Sequence, residues 1–436
     1  MSAHIHLIGF LINSPINHTI LSWADKDDTR VTGLGSIAYW QDLARLYEKG
    51  GFDGVFFADI PAAFDHYRDR TEEAVRYGIC WPNHDPMPLL GIMASATQHL
   101  GLAATMSITS RHPYTAVREL STLDYVTGGR IGWNIVTGHL RAEYRALGLT
   151  QEEHDVRYDR ADEYLAMCKA LWNGVAPQAL VVDREEGILA DTSKVQTIEM
   201  AGRYYSCRAV APILPSAQGQ PVLFQAGSSG RGLRFAVTHA DVMFAIQPHL
   251  QGMKTYMQQL RAAATQAGRD APLRVTFAVQ AVLGGTEQEA QQRQRELEER
   301  IPIEAGLARL SGSLGVDFST LPLDEPLPDL PTQASQGLMK AMSAIFGDRR
   351  FTLRDAAIRW GLGAGMPQIV GTPEQVADRL EEIWRETGCI GFNLSPVETP
   401  TSISAFVDEV VPLLRRRGIY RQDYKTTTFR DNLISE

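Results

Sequence analysis

Short apolar runs alternating with longer amphipathic stretches constrain this chain more than any single motif. Eight runs can be placed, at residues 5–11, 54–58, 102–107, 130–136, 221–225, 241–245, 274–283 and 391–394. Strands separated by helix-length segments pair in parallel, because a parallel connection needs a crossover of a dozen or more residues. The pattern therefore predicts an α/β chain with a parallel sheet and covering helices. The intervals after the fourth and seventh runs exceed what one helix requires and are read as insertions, at 175–220 and 285–368. The first should hold a hairpin-like excursion over 181–205. The second contains LPLDEPLPDLP (321–331), whose prolines forbid regular helix, and is expected to act as a lid or wall over the site. The whole chain is read as one elaborated domain.

Within that alternation, GRIGWNIVTGH (129–139) is the most informative segment, because its apolar strand delivers polar residues at its C-terminal end. A parallel barrel keeps its chemistry at that end of its strands. The same reasoning makes candidates of Asn13, Ser14 and His18, Asp59, Thr105 and Ser107, Asn134, Thr137 and His139, residues 225–229, and Ile246. The turn AGSSGRG (226–232) enters a helix, so its unpaired N–H groups and the positive end of the helix dipole suit an anion such as a phosphate. It is neither a GxGxxG fingerprint nor a P-loop. A rival metal reading rests on His4 and His6, which share a face of the first strand, but they stand at its N-terminal end and no later residues complete a ligand set.

Composition sets the outer limits. A length of 436 residues with 44% hydrophobic content allows a large core, and the formal charge of −9 argues against a nucleic-acid partner. No apolar run approaches the roughly 20 residues needed to span a bilayer. The N-terminus lacks the features of a secretory signal, so a soluble cytoplasmic protein is expected. Cys80, Cys168, Cys207 and Cys389 have no CxxC spacing and are read as isolated thiols. Arg415, Arg416 and Arg417 are read as closing a surface helix.

Several ordered segments together resemble the flavin-dependent monooxygenases of the bacterial-luciferase-like superfamily. The group in question contains the nitrilotriacetate, dibenzothiophene-sulfone and long-chain alkane monooxygenases. The segments are HLIGF (6–10) with His18 and Trp23, GGFDGVFFAD (50–59), HPYTAVRELSTLDYVTGGR (112–130) running into GRIGWNIVTGH, HDVRYDRADEYL (154–165), PVLFQAGSSGRG (221–232), GFNLSP (391–396) and VVPLLRRRGIYRQDY (410–424). The resemblance implies a (β/α)8 TIM barrel and FMN as cofactor, used as FMNH2 with O2 as co-substrate. One oxygen atom would enter a small apolar, aromatic or heterocyclic substrate through a C4a-peroxyflavin. It implies a separate NAD(P)H-dependent flavin reductase as partner and a homodimer or homotetramer. By the same resemblance, Asp59, Thr105, Asn134 and Thr137 lie against the flavin ring and ribityl chain. His154, Tyr158, Ala226, Gly227, Ser228 and Ser229 serve the phosphate end, His18 and His139 are the candidates for catalysis, and Phe10, Asn13, Ser14, Phe64, Cys80 and Ile246 face the substrate. A pocket flanked by Phe10, Phe57, Phe64, Trp81 and Phe244 would suit an apolar substrate.

The chain departs from the alkane enzyme's pattern at Ser14, Phe64 and Cys80, where that pattern carries Cys, Tyr and Gln. Some relatives place a substrate-side His in the second insertion, whereas EAGLARLSGSLG (304–315) offers Arg309 and Ser311. These departures bear on the substrate rather than the flavin. Two alternatives share the fold: hydride transfer with a deazaflavin coenzyme, and flavin binding without catalysis.

Overall fold

The structure, a computed structural model, describes residues 4–227, 230–325 and 352–434. Its strands are β1 (His6–Ile12), β2 (Gly54–Ala58), β3 (Gly101–Ser107), β4 (Ile131–Val136), β5 (Leu180–Asp183), β6 (Ile188–Ala190), β7 (Thr197–Ala201), β8 (Ser206–Val210), β9 (Val222–Gln225), β10 (Val242–Ala245), β11 (Val275–Leu283), β12 (Gln368–Gly371) and β13 (Gly391–Ser395). Eight of them close a parallel barrel in the order β1, β2, β3, β4, β9, β10, β11, β13 and back to β1. These are the eight runs expected from the sequence, and the fold is the α/β TIM barrel. β12 is an addition: it pairs with the second half of β11 after the first half has paired with β13.

Strand alternation sorts the core. From β1, Leu7 and Leu11 join the outer cluster with Trp40, Leu43 and Tyr47 of the helix Ile37–Lys49, while Ile8 and Phe10 point into the barrel. Inside, Phe10, Phe56, Phe224 and Phe244 pack ring against ring, with Phe10 and Phe244 centroids 4.9 Å apart. The floor is closed by the C-terminal helix Phe429–Leu433. A Cβ on Gly101 would lie 2.2 Å from the Phe429 ring, so this strand start admits no side chain.

The first insertion is two antiparallel hairpins, β5 with β6 and β7 with β8, where the sequence suggested a single excursion. The described part of the second contains helices Glu287–Arg300, Ile303–Leu314 and Leu353–Gly363. Two start in capping boxes, Thr286 with Glu289 and Thr352 with Asp355. Ile303–Leu314 and Leu353–Gly363 approach so closely that a Cβ on Gly306 would sit 2.1 Å from the Ala357 carbonyl oxygen. With Ile12, Ile16, Ile20, Phe64 and Trp360 they build a second buried cluster beside the barrel mouth. Over these residues the insertion is a packed wall. Of the Pro-rich run, residues 321–325 are non-helical and the remainder lies outside the described residues.

Among the described residues no helix is long and apolar enough to cross a membrane. The cysteines are free thiols, and Arg415 and Arg416 close the helix Val411–Arg416 as expected.

Candidate active site

Four neighbouring strands, β2, β3, β4 and β9, carry the polar residues singled out for the flavin. The register opposes Thr105 on β3 to Asn134 on β4, and the Asn134 amide donates to Thr105 Oγ1 at 2.8 Å. Both are buried, and Asn134 Oδ1 is left without a partner. Thr137 follows β4, half-buried. Asp59 follows β2, accepts from the Asn83 amide at 2.8 Å, and shares a 200 Å³ cleft with Thr105, Ser107, Asp85 and Glu143. Burial, with the neighbouring Asp85 carboxylate, pushes its pKa up to about 7.

At the end of β9, Gln225 Oε1 accepts from the Gly227 N–H at 2.5 Å, and the Gln225 amide lies 3.5 Å from the Tyr158 hydroxyl. Tyr158 stands on the helix His154–Asn173, with the Arg231 guanidinium over its ring at 5.6 Å and His154 5.1 Å away, ring to ring. Gly227 also accepts from the Tyr256 hydroxyl at 3.3 Å, and Ala226 is exposed. Ser228 and Ser229 lie outside the described residues. The helix that follows, Gly230–His239, has no acid in its first turn, which keeps its N-terminal dipole available to an anion.

The two candidate histidines occupy different environments. His18 is buried and stacked on Phe10, ring centroids 4.2 Å apart. Asn17 donates to the Phe10 carbonyl at 2.7 Å and to Ser395 Oγ at 2.9 Å, and Ser395 Oγ lies 2.9 Å from His18 Nδ1. The hydroxyl therefore donates to Nδ1, which assigns the ring proton to Nε2. Burial, then the cations Arg309 and Arg30, hold its pKa well below the usual histidine value, so it is a neutral N–H donor. His139 lies on the loop after β4, where its surface touches solvent and its carbonyl accepts from Gln151 at 2.9 Å. Surrounding protein nevertheless desolvates the imidazole, and with Arg157 and His66 nearby its pKa falls to about 4.

Of the residues read from the sequence as facing the substrate, Asn13 donates its amide to the Asp85 carbonyl at 3.2 Å, while Asn13 Oδ1 and the fully buried Ser14 Oγ have no partner. Phe64 packs on the second insertion: a Cβ on Gly312 would lie 2.2 Å from its ring. Cys80 is buried, which raises its thiol pKa, and Ile246 borders the aromatic barrel interior. The pocket expected from aromatic residues needs correction. Phe57 points outward onto Trp40, ring centroids 5.8 Å apart, and Trp81 is 45% exposed; Phe56 takes the inward position.

Sequence reading passed over Arg157, Ser395, Asn83 and Asp85. Arg157 is buried and donates to the Gly138 carbonyl, fixing the loop that carries Thr137 and His139. Its signal was a charged residue one position before Tyr158 in a helix-opening segment, which alone reads as solvent-facing. His6 is engaged at the opposite end of the barrel, 2.9 Å from Asp53, and among the described residues no group of His, Cys, Asp and Glu could hold a metal ion. A larger cleft of 640 Å³, lined by His249, Met253, Arg359 and Gln368 among others, shares no residue with the strand-end cluster.

This arrangement, polar side chains on the C-terminal ends of adjacent parallel strands facing an aromatic interior, meets a direct match in sequence. Residues 18–389 match the family model described as luciferase-like monooxygenase. The chain belongs to that family. It is 37% identical to the dibenzothiophene-sulfone monooxygenase of Rhodococcus erythropolis (strain XP), covering 98% of this chain and 96% of that protein. It is 35% identical to the long-chain alkane monooxygenase of Geobacillus thermodenitrificans (strain NG80-2), covering 100% and 95%. Nitrilotriacetate monooxygenase component A of Aminobacter aminovorans is 33% identical, covering 91% and 89%. Among solved structures, that of a long-chain alkane monooxygenase superposes with a TM-score of 0.89 at 33% identity, covering 100% of this chain and 96% of the other. A riboflavin lyase with modified FMN and riboflavin superposes with a TM-score of 0.92 at 30% identity, covering 99% and 96%. The group recognised from the sequence and the enzyme class, a monooxygenase, are those of the family.

Proposed function

We propose that the chain is the oxygenating component of a two-component monooxygenase. It would use reduced FMN, supplied by a separate NAD(P)H-dependent flavin reductase, and O2 to place one oxygen atom on a small organic substrate. The observation that carries the reading is the Thr105 and Asn134 pair. Asn134 Oδ1 is buried with no partner, and an orphaned buried acceptor is costly unless a ligand donor meets it. A flavin ring edge supplies such a donor. Tyr158, Gly227 and the N-terminus of the helix Gly230–His239 suit the phosphate end, so the residues present fit FMN.

Reduced FMN, when bound, supplies the electrons for oxygen activation. The chain's own part is binding, orientation and exclusion of water. Phe10, Phe56 and Phe244 present an apolar face toward the mouth, which keeps water from the reacting centre. Asn17 and Ser395 fix His18 as a neutral Nε2–H donor, and a preorganised donor stabilises charge developing on oxygen without reorganisation. His139, with a pKa near 4, likewise acts at neutral pH as a hydrogen-bonding group and not as a charged acid.

The test is turnover with enzymatically reduced FMN under 18O2 over a panel containing dibenzothiophene sulfone, long-chain alkanes and nitrilotriacetate. Incorporation of one labelled oxygen atom into a product, dependent on reduced FMN, supports the proposal. Oxygen-independent hydride exchange with a deazaflavin coenzyme, or stoichiometric FMN binding with no product from any substrate, would reject it.

A further inference from the structure

Arg309 presents a charge that no carboxylate among the described residues balances. It stands on the helix Ile303–Leu314 and is 2% exposed, and its guanidinium donates to the backbone carbonyl of His18. Other buried or half-buried guanidinium groups are met by a carboxylate, as Arg421 is by Asp53, or by several acceptors, as Arg130 is by the Thr97 hydroxyl and the Thr127 and Ala94 carbonyls and Arg30 by the Ile12 carbonyl and the Thr399 hydroxyl. Among the described residues no Asp or Glu pairs with Arg309. Glu304, on the same helix, is held by Arg68 at 2.9 Å and by the Tyr77 hydroxyl at 3.2 Å. Among the described residues the acidic group that acts on Arg309 is the Cys80 thiol, whose pKa burial raises. His18 cannot compensate, because it is neutral and its Nε2 is a donor. The loop that carries His18 adds a second unfilled group, the fully buried hydroxyl of Ser14.

A buried cation without a counter-ion is strongly unfavourable, and a guanidinium is shaped to hold a carboxylate or sulfonate through paired N–H groups. We infer that Arg309 is a specificity-determining residue. The substrate of this site carries an organic anionic group, a carboxylate, sulfonate or sulfinate, which docks on Arg309 beside His18. This commitment rests on the proposed oxygenase reading for the fate of the bound molecule, but not for its binding. It also separates this chain from any that takes purely apolar molecules, since an alkane leaves the guanidinium unpaired.

The experiment measures binding without reduced flavin or turnover. Sodium benzenesulfonate, sodium hexanoate and the neutral isostere benzenesulfonamide are titrated at constant ionic strength into wild-type protein, Arg309→Met and Arg309→Lys, followed by calorimetry and by melting temperature. At least one of the two anions should bind wild type, raise its melting temperature, and bind Arg309→Met at least tenfold more weakly, with Arg309→Lys intermediate. Benzenesulfonamide should not discriminate between wild type and Arg309→Met. Without ligand, Arg309→Met should melt no lower than wild type, because it removes an uncompensated charge at similar volume. Neither anion binding wild type more tightly than Arg309→Met would overturn the assignment. So would both variants melting well below wild type regardless of anion, which would make Arg309 a strut for the His18 loop. Because no oxygen chemistry is read, anion binding without turnover would fault the oxygenase proposal alone.

Discussion

Asp59→Asn should make the protein more stable at pH 8 and leave it little changed near pH 4. Asp59 is half-buried beside Asp85, and burial together with that neighbour raises its pKa from 3.8 to about 7. The folded state therefore holds a proton that the unfolded chain releases between those two values. Stability changes with pH as the protons bound unfolded minus those bound folded, so the wild type loses stability as pH rises from about 4 to about 7 and gains none back above it. At about 1.4 kcal/mol per pKa unit the shift sets a ceiling of about 4 kcal/mol. The carboxyl keeps contact with water and accepts from Asn83, so a realised gain of about 1–2 kcal/mol is expected for the neutral isostere. Urea unfolding of both proteins at pH 4.5, 5.5, 6.5 and 8 reads this directly, as a stability difference that grows across the series. A difference independent of pH, or a wild type favoured at pH 8, would refute the raised pKa. The same substitution should flatten any pH dependence of FMN affinity around neutrality.

Three further outcomes follow from the geometry. Asn134→Ala removes the unpaired Oδ1 and the bond to Thr105, and should weaken FMN binding about fivefold, worth about 1 kcal/mol, in a fluorescence titration, while Tyr158→Phe weakens it less. His139→Ala should keep FMN affinity within a few-fold while releasing more hydrogen peroxide per reduced flavin. With a pKa near 4, the wild-type histidine should add no step to the rate profile between pH 6 and 9; normal coupling in the variant would shift suspicion to His18. Gly312→Ala drives a methyl into the Phe64 ring and should cost about 1–3 kcal/mol in chemical denaturation.

The barrel was legible because strands buried on both faces read as continuous apolar runs, and all eight ran within a residue or two of their expected ends. β12 was missed: four residues, half of them only partly buried, carry too little pattern. The two hairpins merged into one for a related reason, since their strands are three to five residues long and most of their residues are exposed. At the site, Asp59, Thr105, Asn134 and Thr137 stood out because each interrupts or ends an apolar strand with a polar group. Arg157 and Arg309 did not, because a charge on a helix ordinarily faces water. The available signal was phase: Arg309 falls among Leu307, Ala308 and Leu310, on a helix whose faces are nearly all buried. Ser395 was invisible for a simpler reason, namely that closure of the barrel alone brings β13 beside β1.

The central claim is that the C-terminal ends of β2, β3, β4 and β9 form an FMN site. A crystal structure of the protein soaked with FMN tests it most directly. The flavin ring should lie against Thr105 and Asn134, with a donor on Asn134 Oδ1, and the phosphate should lie beside Tyr158 at the N-terminus of the helix Gly230–His239. FMN seated instead in the larger cleft lined by His249, Met253 and Arg359, with the Asn134 and Tyr158 region empty at saturating concentration, would contradict it.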